Sequence, residues 1–194
     1  MSTLLDLLGS TLIGGILLLL VLKMNLFISN ASFASDNELK MQQNAKTLAE
    51  ILNHDFRKIG YLHEGTSILT AEKDRFKFVG DLQRPGVSGF GILDTVEYFI
   101  RDSSYSLGTS NENDIILVRV LNSIDSIQGS SLGLVKLNFS YLDSLSSPTI
   151  DLSKIKYIKT ELWVEPTEPV NNFITGKQDS VFTYWEFTIN PRNI

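Results

Sequence analysis

Apolar residues in the first part of the chain fall on every side of a helix, and beyond Ser32 they retreat to one side. From Leu12 to Leu22 the run is almost wholly apolar, interrupted only by Gly14 and Gly15. That run reaches about 16 Å at 1.5 Å per residue, short of the roughly 30 Å hydrocarbon core of a bilayer. A span must therefore draw on its flanks. From Leu4 to about Phe33 the rod measures ~45 Å, enough to cross, and takes in Asp6 and Lys23. Farther on, Met41, Ala45, Leu48, Leu52, Phe56 and Ile59 recur at steps of three and four, one stripe of a helix, while Gln42, Gln43, Lys46, Glu50 and Lys58 fall off it. No proline precedes Pro85, and Gly60 is a natural terminator. One helix is predicted from about residue 3 to 59, near 85 Å long.

From Thr66 onward the period becomes two. Val135, Leu137, Phe139 and Tyr141 alternate with polar residues, as do Ile158, Thr160, Leu162 and Val164, and then Val181, Thr183, Trp185, Phe187 and Ile189. Earlier strands are predicted at 75–79, 95–101 and 115–121. Each run has one apolar face, so an antiparallel sheet laid on the helix stripe is expected. The separators "LQRPGVSGFG", "DSSYSLGTSNEND", "SLSSP" and "EPTEPVNNFITGKQDS" read as loops. The predicted class is α+β: a long N-terminal helix, a transmembrane half followed by an amphipathic half, packed on an antiparallel sheet head. Its divisions are 1–33 (apolar transmembrane helix), 34–60 (amphipathic continuation) and 61–194 (antiparallel sheet domain).

Composition narrows the function. A chain of 194 residues allows one domain of usual size plus an appendage, and 43% hydrophobic residues argue for a packed core. The net charge of -5 and the absence of long basic runs exclude a nucleic-acid partner. With no cysteine there is no disulfide, thiolate metal site or cysteine nucleophile. His54 and His63 are the only histidines, too few for a His-rich metal centre.

Catalytic patterns are missing as well. Glu165 and Glu168 lie in an apparent loop with no neighbour to raise either pKa, and no Gly-x-Ser-x-Gly elbow occurs. Gly86, Gly89 and Gly91 make a glycine-rich turn with no phosphate-binding helix after it. Asp102, Asn111, Glu112, Asn113 and Asp114 offer the oxygen donors that calcium takes, but not at EF-hand spacing; a solvated loop is the expectation. No enzyme and no cofactor are expected. The Met41 to Ile59 stripe reads as core, and Trp163 and Trp185 as parts of the sheet, unless an outward Trp meets a partner.

Two readings of the rod compete. A cleaved secretory signal needs a basic start, and no Lys or Arg precedes the apolar run; Ser29-Asn30-Ala31 is a poor cleavage site. A single tilted anchor is the better reading, with Lys23 snorkelling toward one headgroup layer and Asp6 near the other. Orientation is not set by charge, because the positive-inside rule has no N-terminal basic residues to count. Gly14 and Gly15 suit close helix contact or local unwinding.

A helix apolar then amphipathic, leading into an antiparallel sheet, resembles the type IV pilin superfamily, and in particular is similar to W-type minor pilins and J-type minor pseudopilins of type II secretion. "STLLDLL" resembles the family's mature N-terminus, "LAEILNHDFRKIGYL" the end of its helix, "LVKLNFSYLDS" and "IKYIKTELWVE" two late strands, and "PRNI" the closing segment. Asp6 stands where the family has Glu, and the family's basic leader ending in Gly is not seen. The expectation is a start near a mature end, or insertion without processing. The resemblance implies a lollipop-shaped structural subunit of a pilus or secretion filament. Its head lies outside the inner membrane, and its partners are other pilin-like subunits, through the N-terminal helix, and the assembly platform of the machine. It also implies that Asp6 faces the N-terminal amine of a neighbouring subunit, and Lys23 either pairs with a neighbour's carboxylate or snorkels. The competing class is an extracytoplasmic binding module tethered by one transmembrane helix and never entering a filament.

Overall fold

The computed structural model describes residues 2–102, 111–128, 132–166, 170–171, 178–179 and 181–194. Helix α1 spans Ser2–Phe56 without interruption, 55 residues, or about 82 Å. Two hydroxyls inside its apolar half are satisfied by the helix itself: those of Ser10 and Thr11 donate to the carbonyls of Leu7 and Leu8 at 2.9 and 3.0 Å. In the amphipathic half the outward face is laced by neighbouring pairs, Lys46 with Glu50 at 3.7 Å and Arg57 Nε donating to Asn53 at 3.0 Å.

The helix ends a turn's fraction before the predicted residue 59. Lys58 N and Ile59 N donate to the carbonyls of Asp55 and Phe56, three residues back, at 2.9 and 3.3 Å, so the last turn tightens. Gly60 then leaves the axis with φ of 73° and donates its N–H to Val79 at 2.9 Å. A Cβ there would lie 2.3 Å from the Asn193 carbonyl oxygen. Only glycine meets both demands.

Five antiparallel strands follow one another across the first sheet: β1 (Ile68–Ala71), β2 (Arg75–Gly80), β3 (Asp94–Arg101), β4 (Ile116–Leu121) and β5 (Asp125–Gln128). β6 (Leu134–Leu142) and β7 (Tyr157–Val164) form a second, three-stranded sheet with β10 (Thr183–Ile189), in the order β10-β7-β6. β8 (Val170–Asn171) and β9 (Gln178–Asp179) make a separate pair. The α+β architecture is the predicted one, divided over two main sheets where a single sheet was expected. Individual bonds join them, Phe139 N to Lys73 O at 2.8 Å and Ile115 N to Leu134 O at 2.7 Å, without a continuous ladder.

Two details correct the strand reading. In β6 the register slips between Leu134, opposite Val164, and Lys136, opposite Trp163, so two residues face one. The bulge reverses the alternation: Leu134 becomes the fully buried residue, and Val135, predicted inward, is half-buried. Gly133 permits this with φ of 72°, in a position where a Cβ would lie 2.1 Å from the Glu165 carbonyl oxygen. In β10, Trp185 lies on the inner side opposite Leu162 yet stays 38% exposed, because among the described residues β10 pairs only with β7.

The core sits where the two sheets meet the helix. Met41, Ala45, Leu48, Leu52, Phe56 and Ile59 are all buried there. Phe56 is its centre. Its ring lies 5.1 Å from Phe76, 6.0 Å from Phe78 and 5.9 Å from Tyr98, all in the first sheet, and 5.9 Å from Phe139 in the second.

Candidate functional site

The unpartnered surface of this molecule is the first half of α1. It contains a window long and apolar enough to cross a membrane, none of it buried against the head. Leucines 4 to 22, Phe27 and Ile28 are exposed around the whole circumference. Removing such a surface from water is strongly favourable, so it belongs in lipid or against other apolar helices.

The structure spreads the four predicted assembly residues along this rod. Asp6, Gly14, Gly15 and Lys23 are all exposed, and nothing in the chain lies within 4 Å of where a Cβ on either glycine would stand. Asp6 and Lys23 are separated by about 26 Å along the axis. Among the described residues neither makes an ion pair. The helix is continuous through both glycines.

Beside the apolar contacts that hold the rod to the head, the end of α1 carries a polar cluster that the sequence reading did not single out. Asp55 is 5% exposed and stands on the apolar stripe, three residues after Leu52 and four before Ile59. Arg119 Nε in β4 meets its Oδ2 at 2.6 Å, and the Tyr98 hydroxyl in β3 donates to the same oxygen at 2.7 Å. His54 Nδ1 lies 3.1 Å from the other oxygen. Burial, and then the charge of Asp55, hold the Tyr98 hydroxyl well above its ordinary pKa, so it remains a donor. Burial lowers the pKa of the Arg119 guanidinium, but its hydrogen bond to Asp55 and the carboxylate's charge outweigh that and leave it raised. A carboxylate inside an apolar stripe is the one sequence signal for this cluster. Its partners lie 43 and 64 residues away and carry no local mark.

A second buried carboxylate shapes the glycine-rich loop after β2. Asp81, fully buried, accepts the N–H of Gln83 at 2.8 Å with one oxygen and that of Gly91 at 2.7 Å with the other. Lys58 Nζ donates to the carbonyls of Leu82 and Gln83. Gly86, Gly89 and Gly91 all take positive φ inside this loop, and no helix follows.

Of the oxygen-rich residues considered for calcium, Asn111 donates to Glu165 at 2.9 Å and to the Pro166 carbonyl at 3.4 Å. Its own side-chain oxygen accepts the Asn113 N–H at 3.0 Å, and Asp114 is buried while Asp102, Glu112 and Asn113 are exposed. Among the described residues no group of three or more His, Cys, Asp or Glu side chains is arranged to hold a metal. Glu165 is thus bonded to Asn111, and Glu168 lies outside the described residues. Trp163 is half-buried on the outer side of β7.

The arrangement can do one thing well: present a rigid apolar shaft fixed to a folded head. No protein-family profile, curated protein or solved structure matches this chain, so that architecture, a long N-terminal helix packed on antiparallel sheet, stands on its own geometry.

Proposed function

We propose that this chain is a membrane-inserted, pilin-like structural subunit, a minor component of a type IV pilus or a type II secretion-like filament, stored in the inner membrane with its head outside. The observation that carries this reading is the continuity of α1. One unbroken helix is wholly exposed and apolar in its first half and clamped into the head in its second. A flexible tether needs no such stiffness. A filament subunit does, because the shaft must hold its angle to the head while it exchanges lipid for neighbouring shafts. Open-ended assembly then follows from heterologous contacts along the rod.

In this reading Asp6 supplies the assembly contact. A carboxylate within a bundle of apolar helices is costly unless paired, and the N-terminal amine of a neighbouring subunit is the partner we assign. Lys23 snorkels to the headgroup layer before assembly.

The chain has no cysteine, which makes crosslinking clean. A Ser10→Cys variant in native membranes should give rod-to-rod disulfide or bismaleimide products with itself or with related subunits. Adding Asp6→Ala should abolish those products while the head keeps its fold. A tethered binding module would give none in either background, and that result would overturn the proposal.

A further inference from the structure

The two main sheets have four outer edges, and three of them carry a device against further pairing. β1 and β5 are each four residues long, and β1 is bulged between Ile68 and Thr70. β6 is bulged as well, and the Phe139 N–H and the Leu134 carbonyl bridge it to the first sheet. Short edges, bulges and covering segments are how folded proteins keep foreign strands from pairing. β10 has none of these. Its seven residues run in unbroken register with β7, from Thr183 opposite Val164 to Ile189 opposite Ile158, and among the described residues no other strand pairs with it. It holds no proline and no lysine, and its one charge, Glu186, is met by Lys159 at 3.1 Å.

In an antiparallel ladder each residue directs its N–H and C=O to the same neighbouring strand, and successive residues alternate between the two neighbours. Every second residue of β10 therefore aims its backbone pair away from β7. Beside that row, next to the end of α1, opens a groove of about 620 Å³, lined by Asn53 and Arg57 of the helix and by Phe187, Thr188, Ile189 and Arg192. Phe187 and Ile189 lie on the inner face of the strand and Thr188 on the outer, so the groove follows the edge itself. Arg57 and Arg192 are both exposed there, and no acidic side chain belongs to the lining.

We propose that the edge of β10 accepts an extended segment of a partner protein as an added antiparallel strand. Backbone pairing selects this class of ligand, because only a second extended backbone repeats donors and acceptors at the spacing of the edge. The segment carries apolar or β-branched residues at alternate positions, which cover the inner side where Trp185 is left 38% exposed. Its N-terminal end, the one beside Ile189 in an antiparallel addition, carries an acidic residue for Arg57 and Arg192. A second β10 does not fit. Antiparallel pairing of two copies needs rods that point in opposite directions, whereas subunits rooted in one bilayer point the same way. That exclusion of self-pairing rests on the membrane reading of the rod; the edge and its charge do not.

Amide hydrogen exchange of the full chain in detergent, read residue by residue by NMR, tests the edge directly. In the free chain every second amide of β10 should exchange fast and the others slowly. A displayed library of random peptides about eight residues long is then selected on the immobilised full chain, and the strongest binder is synthesised. Its binding should slow the fast β10 amides roughly tenfold or more and leave the slow ones as they were. Methylating the peptide's alternate amide nitrogens should abolish binding in one of the two phases and spare it in the other, since only one set of its N–H groups faces β10. Arg57→Glu combined with Arg192→Glu, both exposed positions that leave the near-ultraviolet circular dichroism of the head unchanged, should weaken binding roughly tenfold. The inference is overturned if all β10 amides are slow in the free chain, if no peptide is selected, if the bound peptide leaves β10 exchange unaltered, or if the double arginine variant binds as well as the parent. Rod crosslinking is unaffected by any of these outcomes, so this inference and the filament proposal fail separately.

Discussion

Replacing Phe56 by alanine removes the side chain that joins helix, first sheet and second sheet at one point. The ring is 0% exposed and has four aromatic neighbours between 5.1 and 6.0 Å away. A buried Phe→Ala change costs about 3 to 5 kcal/mol through lost transfer energy and the cavity left behind. The upper half applies here for two reasons. The cavity wall is made of rings from β2, β3 and β6, held by two ladders that cannot close inward together, and three of the four contacts are edge-on pairs with a further ~0.5 kcal/mol or more each. About 4 kcal/mol over a urea dependence of roughly 2 kcal/mol per molar moves the unfolding midpoint down by about 2 M. The measurement is urea unfolding of the full chain in detergent, followed by near-ultraviolet circular dichroism. Phe27→Ala is the internal control: the same substitution on the same helix, at a side chain 69% exposed, should leave the midpoint unchanged. A shift for Phe56→Ala under about 0.5 M, or equal shifts for the two variants, would refute the claim that the head is built around the helix end.

Asp55→Ala should destabilise the head by about 2 to 4 kcal/mol by stranding Arg119, and Asp55→Ala with Arg119→Met should recover much of that; a double variant no better than the single one rules the argument out. Gly60→Ala forces a Cβ to 2.3 Å from a backbone oxygen at a positive φ. A loss of roughly 2 to 4 kcal/mol in the same urea assay is expected, and a neutral result would show that this turn can move. Tyr98 gives a pH signature. Its folded pKa is raised by burial and then by Asp55, so its contribution is complete below about pH 10, the unfolded tyrosine value, and falls as pH climbs beyond it. Thermal midpoints of the parent should therefore decline more steeply above pH 10 than those of Tyr98→Phe; parallel profiles would contradict the assignment.

The sequence by itself determined the helix, the location of its core stripe and most strands, because each rests on a short-range period. Lipid-like residues on every side of the first half, apolar residues at steps of three and four in the second, and alternation in β2, β3, β4 and β7 all lie within windows of a few residues. Tertiary structure alone decided what depends on residues far apart. The bulge at Leu134 reverses the facing of the start of β6, and it exists because Gly133 lets the chain pass against Glu165. Two sheets arise where one was expected, because which strands pair is decided between residues far apart in the chain, and alternation within one strand does not name its partner. The Asp55–Arg119–Tyr98 cluster could be suspected only from an acid in an apolar stripe. Its partners became visible when β3 and β4 were laid beside the helix end, since a buried charge is stable only with the neighbours that the whole fold brings to it.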